Sequence, residues 1–164
     1  MTGAPGRPTA DRGPGVPFPP PTLLAIGFLA GWLLHRVRPL ALVPGARVPA
    51  LVVAGWVLIL AGLSFTFWGM LTFARARTSI MPNRPASRVV TGGPYRFSRN
   101  PMYVGLTAAY LGLSVLANSA WPIIFLPIAI ALLTSLVIRR EEQYLARAFG
   151  ADYDEYARRV RRWL

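Results

Sequence analysis

An all-α integral membrane protein is the fold class the chain predicts, with about four transmembrane helices, a C-terminal helical hairpin and amphipathic cytoplasmic tail helices. Three features predict it. Of 164 residues, 54% are hydrophobic and only 15% charged, a balance that suits neither an ordinary soluble domain nor a disordered one. The apolar residues gather into four runs punctuated by Pro, Gly and Arg. The last two runs are separated by little more than Asn118-Ser119, so they must return on one another as an antiparallel hairpin.

Charge and composition narrow the partners. The net charge is +12, and all 18 basic residues are arginine. These arginines flank apolar runs and do not cover a soluble face, so they point to the bilayer and its anionic lipid, with no nucleic acid. Cysteine is absent, which excludes disulfides, thiolate metal sites and a cysteine nucleophile. The single histidine, His35, cannot build a His-rich metal site by itself, and no metal is expected.

Taken in order, residues 1–21 read as a disordered Pro/Gly/Arg-rich tail. Residues 22–164 read as one membrane domain. Its first run, about 22–37, is short against the ~20 apolar residues that a span needs, and snorkelling arginines or local thinning accommodate it. Residues 50–73 carry no charge and form the clearest span. Gly55 and Gly62 sit seven apart on one face of it, where another helix could approach closely. The third and fourth spans are 101–117 and 120–138, and Pro127 is expected to kink the fourth.

The hairpin turn carries no arginine, whereas the loop before the hairpin and the tail after it carry many. Both ends of the hairpin therefore face the cytoplasm. Four spans then put the N-terminus there too, and Arg36, Arg38 and Arg47 outside, against the positive-inside count.

The tail, 139–164, is amphipathic. Its first part continues the fourth helix as far as Gly150. Asp152 then starts another, with Glu155 three residues on as a capping box. In that helix Tyr153, Tyr156, Val160 and Trp163 fall on one stripe, with Arg158, Arg159, Arg161 and Arg162 on the other sides. Asp154–Arg158 and Glu155–Arg159 are i,i+4 pairs. The helix should lie on the headgroups or fold back over the loop before the hairpin.

That loop is the chemically equipped stretch: Thr91 to Gly105, TGGPYRFSRNPMYVG. Two glycines and a proline break its backbone. Asn100-Pro101 then supplies a helix start, with Asn expected to cap the first turn and Pro at the first helical position. Because the hairpin returns the chain to its starting side, Arg96, Arg99, Asn100 and Tyr103 come within reach of Arg139, Arg140, Glu141, Glu142 and Tyr144.

GGPYRFSRNPMYVG, a hairpin, then REEQYLARAFGADYDEY and VRRW resembles the superfamily of isoprenylcysteine carboxyl methyltransferases and phospholipid N-methyltransferases. The resemblance covers roughly 50–164, including the TSIMP segment, and leaves the N-terminal tail unmatched. It implies a membrane enzyme that uses S-adenosylmethionine to methylate a lipophilic, membrane-resident acceptor, either an isoprenylcysteine-like carboxylate or a lipid amine. It also implies that Gly93, Pro94, Tyr95, Arg96, Arg99, Asn100, Pro101 and Tyr103 contact the cofactor together with Glu141 and Glu142. Catalytic roles then fall to Arg99, Glu141 and Glu142. Where the eukaryotic carboxyl methyltransferases usually carry His, this chain has Asn100, which cannot titrate and so cannot be a general base.

The residue types suit that chemistry. A helix N-terminus with Arg99 suits the cofactor carboxylate. Tyr95, Phe97 or Tyr103 suits adenine or the sulfonium, and Glu141 or Glu142 suits the amino group or ribose hydroxyls. Methyl transfer is a displacement on an already activated carbon, so alignment carries most of the rate. A protonated amine acceptor would need a base, which the second glutamate could supply; a carboxylate would not.

Two alternatives share the architecture: an NADPH-dependent reductase resembling the sterol reductases, for which the short tail leaves little room, and a non-catalytic membrane scaffold. The expected location is a bacterial inner (plasma) membrane with the site facing the cytoplasm.

Overall fold

The computed structural model describes residues 15–16, 19–45, 48–76 and 87–164. Every regular element among them is helical. Helix α1 spans Pro21–Val37, α2 Pro49–Arg75, α3 Pro101–Leu116 and α4 Ala120–Leu133; α5, Arg139–Phe149, and α6, Ala151–Arg159, follow. Proline stands in the first turn of α1, α2 and α3, where its missing N–H costs no helical hydrogen bond.

Two helices are long and apolar enough to cross a membrane: α2, and the continuous 30-residue helix Ala120–Phe149 that α4 begins. Helices α1 and α3 are apolar but shorter. Large apolar side chains such as Ile26, Val53, Val57, Leu60 and Phe67 face outward and exposed. An unbroken apolar surface of that kind would be a liability in water and is ordinary in lipid.

Small residues bring the helices together in two antiparallel pairs. In the α2–α3 pair, a Cβ on Gly62 would overlap the Gly105 carbonyl oxygen, and a Cβ on Gly105 the Gly62 carbonyl oxygen. The same reciprocity holds seven residues away: a Cβ on Gly55 would lie 3.1 Å from the Gly112 oxygen, and one on Gly112 2.5 Å from the Gly55 oxygen. The expected seam on α2 thus has a matching seam on α3. Backbones this close gain dispersion contacts that lipid cannot match. Thr66 adds a hydroxyl hydrogen bond to the Met102 carbonyl at 3.2 Å.

Helix α1 packs on α4 in the same manner. A Cβ on Gly31 would meet the Pro122 nitrogen at 2.5 Å, and one on Gly27 the Ala129 Cβ at 3.2 Å. These two glycines are four apart, a small-xxx-small pair on the face of α1 that meets α4. Around them Leu24, Tyr110, Leu126, Ala129, Leu133, Val137 and Ile138 form the core.

On the side of the hairpin turn, the α1–α2 connection folds onto it. Asn118, with φ +48°, accepts from the Val43 N–H and donates to the Val43 carbonyl, both at 3.0 Å. The Trp121 indole donates to the Arg38 carbonyl at 2.6 Å.

Helix α4 continues through Pro127, and a π turn follows at Thr134–Ile138. Two expectations change. Asn100 makes no side-chain cap on α3. Helix α6 begins at Ala151 directly after Gly150, which takes φ +51°, and no capping box forms. Glu155 instead pairs with Arg159, at 2.5 Å and well exposed. Of the stretch read as a tail, residues 1–14 and 17–18 lie outside the described residues, while Val16 is buried in the core. The TSIMP segment and Arg47 also lie outside them.

The seam gives a direct expectation. Gly62→Ala and Gly105→Ala should each lower the unfolding free energy in detergent by about 1–3 kcal/mol, the usual cost of overpacking. Gly92→Ala, where nothing lies within 4 Å of the added methyl, should change it by less than about 0.5 kcal/mol. Equal effects at all three would mean that the helices do not meet at these glycines.

Candidate functional site

The backbone before α3 is shaped by Gly93 and Pro94. Gly93 takes φ +58°, and a Cβ there would meet Thr72 Oγ1 at 2.7 Å; only glycine suits both the turn and the contact. A 3-10 turn, Gly93–Arg96, follows and presses the buried Pro94 and Tyr95 inward. The Tyr95 ring stands edge-on to Phe73 of α2, with ring centres 5.2 Å apart. Its carbonyl accepts a 2.8 Å hydrogen bond from the buried Tyr156 hydroxyl of α6. The tail helix therefore folds back over the loop, with Val90, Tyr95, Tyr153 and Tyr156 as a shared cluster.

The π turn lies where the apolar helix passes into the tail. Val137 and Ile138 are both fully buried. A π turn carries one extra residue per turn, so the inner stripe passes from Leu133 to Ile138 and on to Glu141 and Glu142. Arg139 and Arg140 are exposed, marking the end of the apolar stretch. The Ser135 hydroxyl donates to the Ala131 carbonyl at 2.8 Å, meeting backbone oxygen next to the widened turn.

At the mouth of the α3–α5 side, four charges and two phenols converge. Arg99 Nη1 lies 3.3 Å from Glu142 Oε1, with both side chains about 15% exposed (15% and 14%). Arg162 grips the same carboxylate with Nε at 2.9 Å and Nη2 at 2.7 Å. Arg99 also donates to the Tyr153 hydroxyl at 3.4 Å. Among the described residues Glu141 has a neutral partner: the Tyr103 hydroxyl donates to it at 3.2 Å. Burial pushes the Glu141 carboxyl up to about 7, partly offset by the Tyr103 hydrogen bond and reinforced by the neighbouring Glu142 charge. Two buried polar atoms here have no partner, Tyr95 Oη and Arg99 Nε. Burial also pushes the Tyr95 phenol up.

The residues singled out in the sequence thus divide. Arg99, Tyr103, Glu141 and Glu142 come together, with Tyr95 buried close by. Gly93, Pro94 and Pro101 set the backbone. Asn100 faces the chain after α6, donating from its side-chain nitrogen to the Arg162 carbonyl at 2.9 Å. Arg96 is exposed, and so is Phe97, at 60%.

Arg162 and Ser98 were not foreseen as members. The helical stripe put Arg162 on the outer side, but α6 ends at Arg159 and Val160 is extended, with φ −121° and ψ 130°. The sequence signal was the terminal VRRW. Among the described residues no group of three or more His, Cys, Asp and Glu side chains could hold a metal ion.

Residues 50–152 match the family model described as phospholipid methyltransferase. The chain is 41% identical over 77 residues to the cobalt-zinc-cadmium resistance protein CzcN of Cupriavidus metallidurans. It is 38% identical over 77 residues to the nickel-cobalt-cadmium resistance protein NccN of Alcaligenes xylosoxydans xylosoxydans. Each alignment takes in 47% of this chain but 35% and 36% of those relatives, so the chain spans about a third of their length.

The Glu141 environment carries a pH signature. Between the ordinary carboxylate value of 4.5 and about 7, the folded state keeps a proton that the unfolded chain has released. Stability should therefore fall as pH rises through that window. Glu141→Gln should flatten this part of the profile in detergent unfolding measured from pH 4.5 to 8. An unchanged slope would place Glu141 in a solvated setting.

Proposed function

The chain belongs to the phospholipid methyltransferase family, and from that premise we propose that it transfers a methyl group from S-adenosylmethionine to a lipophilic acceptor held in the bilayer. The acceptor class is a lipid amine or an isoprenylcysteine-like carboxylate. The reading includes four membrane spans, with the Arg99–Glu142 cluster on the cytoplasmic side of a bacterial inner membrane.

The observation that carries it is a buried carboxylate without a cation. Both arginines of the cluster are committed to Glu142, so among the described residues Glu141 is met by a phenol and by no cation. A buried acid in that state favours a positively charged ligand, which would return it to the ionised form. The unpartnered Arg99 Nε beside it suits a ligand carboxylate, and the unpartnered Tyr95 hydroxyl a ligand polar atom. S-adenosylmethionine carries a cationic amino group, a sulfonium and a carboxylate, so these residues fit it: Glu141 and Tyr103 would hold its positive end and Arg99 its negative end.

Bound there, it supplies a methyl group already activated for displacement. The protein's part is to bind, orient and exclude water. Glu142, Arg99 and Arg162 lock the walls. Methylation of an amine acceptor releases a proton, and Glu141, ionised beside the bound cation, is the carboxylate placed to receive it; a carboxylate acceptor needs no such step. Asn100 is held by a backbone carbonyl and takes no proton. The names of the metal-resistance relatives describe those longer proteins.

Titration calorimetry of the detergent-solubilised protein should give one saturable S-adenosylhomocysteine site and none for NADPH. Glu141→Gln should weaken binding by about tenfold to a hundredfold, the loss of one charge-assisted contact. Saturable heat with NADPH and none with S-adenosylhomocysteine would overturn the reading in favour of a reductase.

A further inference from the structure

We propose that the segment after α6 is a strap that completes the transfer site, with Arg162 as its positioning residue. What the site holds rests on the methyltransferase reading; the strap's own geometry does not. The segment also lies beyond the stretch that matches the family, which ends at residue 152.

The strap is anchored at both ends. Val160 packs on the tyrosine cluster, and Trp163 packs on the helix core. Between them the extended chain crosses the entry to α3, where backbone and side-chain donors need acceptors. The Arg161 carbonyl accepts the Arg99 N–H at 2.9 Å. The Arg162 carbonyl accepts from the Asn100 side chain at 2.9 Å and from the fully buried Ser98 hydroxyl at 3.3 Å. Ser98 Oγ in turn accepts the Asn100 N–H at 3.0 Å. Asn100 therefore anchors the strap, a role that needs a donor and no titratable group.

The Arg162 side chain then divides the labour of the cluster. By gripping Glu142 through two nitrogens, it leaves Arg99 with a single contact to that carboxylate, through Nη1, and leaves Arg99 Nε without a partner. Without Arg162, Glu142 is free to close on the remaining guanidinium and take the donor that the ligand would use. A planar fork can hold both carboxylate oxygens in this way; an ammonium acts as a point charge. Arg162 thus acts through Glu142 and Arg99 and need not touch the ligand.

The test pairs hydrogen exchange of the free protein with S-adenosylhomocysteine titration, on wild type, Arg162→Ala, Arg162→Lys and Asn100→Asp. Arg162→Ala should speed amide exchange across residues 97–100 while residues 105–116 stay as protected as in wild type, and weaken S-adenosylhomocysteine about tenfold or more. Arg162→Lys should fall between wild type and Ala in both readouts. Asn100→Asp, which sets a carboxylate against the Arg162 carbonyl, should also speed exchange at 97–100. Unchanged exchange at 97–100 in both Arg162→Ala and Asn100→Asp would overturn the strap. Altered exchange with unchanged affinity would overturn the positioning role. Absence of S-adenosylhomocysteine binding in wild type would instead strike the methyltransferase reading, and the strap would then be decided by the exchange data alone.

Discussion

Glu142 is shared between two guanidinium groups that reach it from distant parts of the chain: Arg99, in the loop that opens α3, and Arg162, beyond the last helix. Taking the Glu142 and Arg99 charges largely out of water is expensive, and such clusters often stabilise less than an apolar replacement would. Their effect is selective. A carboxylate this enclosed is tolerable only with its partners in place, so loop, hairpin end and C-terminal segment must come to one register. Among the described residues the same cluster leaves Glu141 without a cation and Arg99 with a spare donor, the two groups on which the proposed chemistry rests.

The four apolar helices supply the frame for that register. Reciprocal glycines on α2 and α3 fix how far α3 slides along α2, and so fix where the Gly93–Arg96 turn meets Thr72 and Phe73. Glycines four apart on α1 do the same for α4. Past the π turn the diacid continues the inner stripe, while Arg140 is exposed. Each device is a local backbone choice whose consequence appears some turns away, at the mouth of the bundle.

Much of this was legible in the sequence. Apolar runs between Pro and Arg gave the positions of α1 to α4 closely, because proline and charge are strong local punctuation. Arg99, Tyr103, Glu141 and Glu142 could be brought to one end because a hairpin with a two-residue turn has little freedom. The partner seam on α3 was hidden: glycines seven apart say that something comes close, without saying what. The π turn was hidden too, since no residue in Thr134–Ile138 forbids α geometry. Asn100 looked like a cap because Asn-Pro is a strong helix start, yet its amide is taken by a carbonyl far along the chain. Arg162 was misplaced because the helical period was carried past Arg159, where the helix stops.

The claim that loop and diacid helix are joined through one shared ion-paired cluster is tested most directly by a double-mutant cycle on Arg99→Gln and Glu142→Gln, read as unfolding free energy in detergent. The account predicts that the double variant loses less than the sum of the single losses, with a coupling of about 1 kcal/mol or more. Losses that simply add, to within about 0.5 kcal/mol, would contradict it.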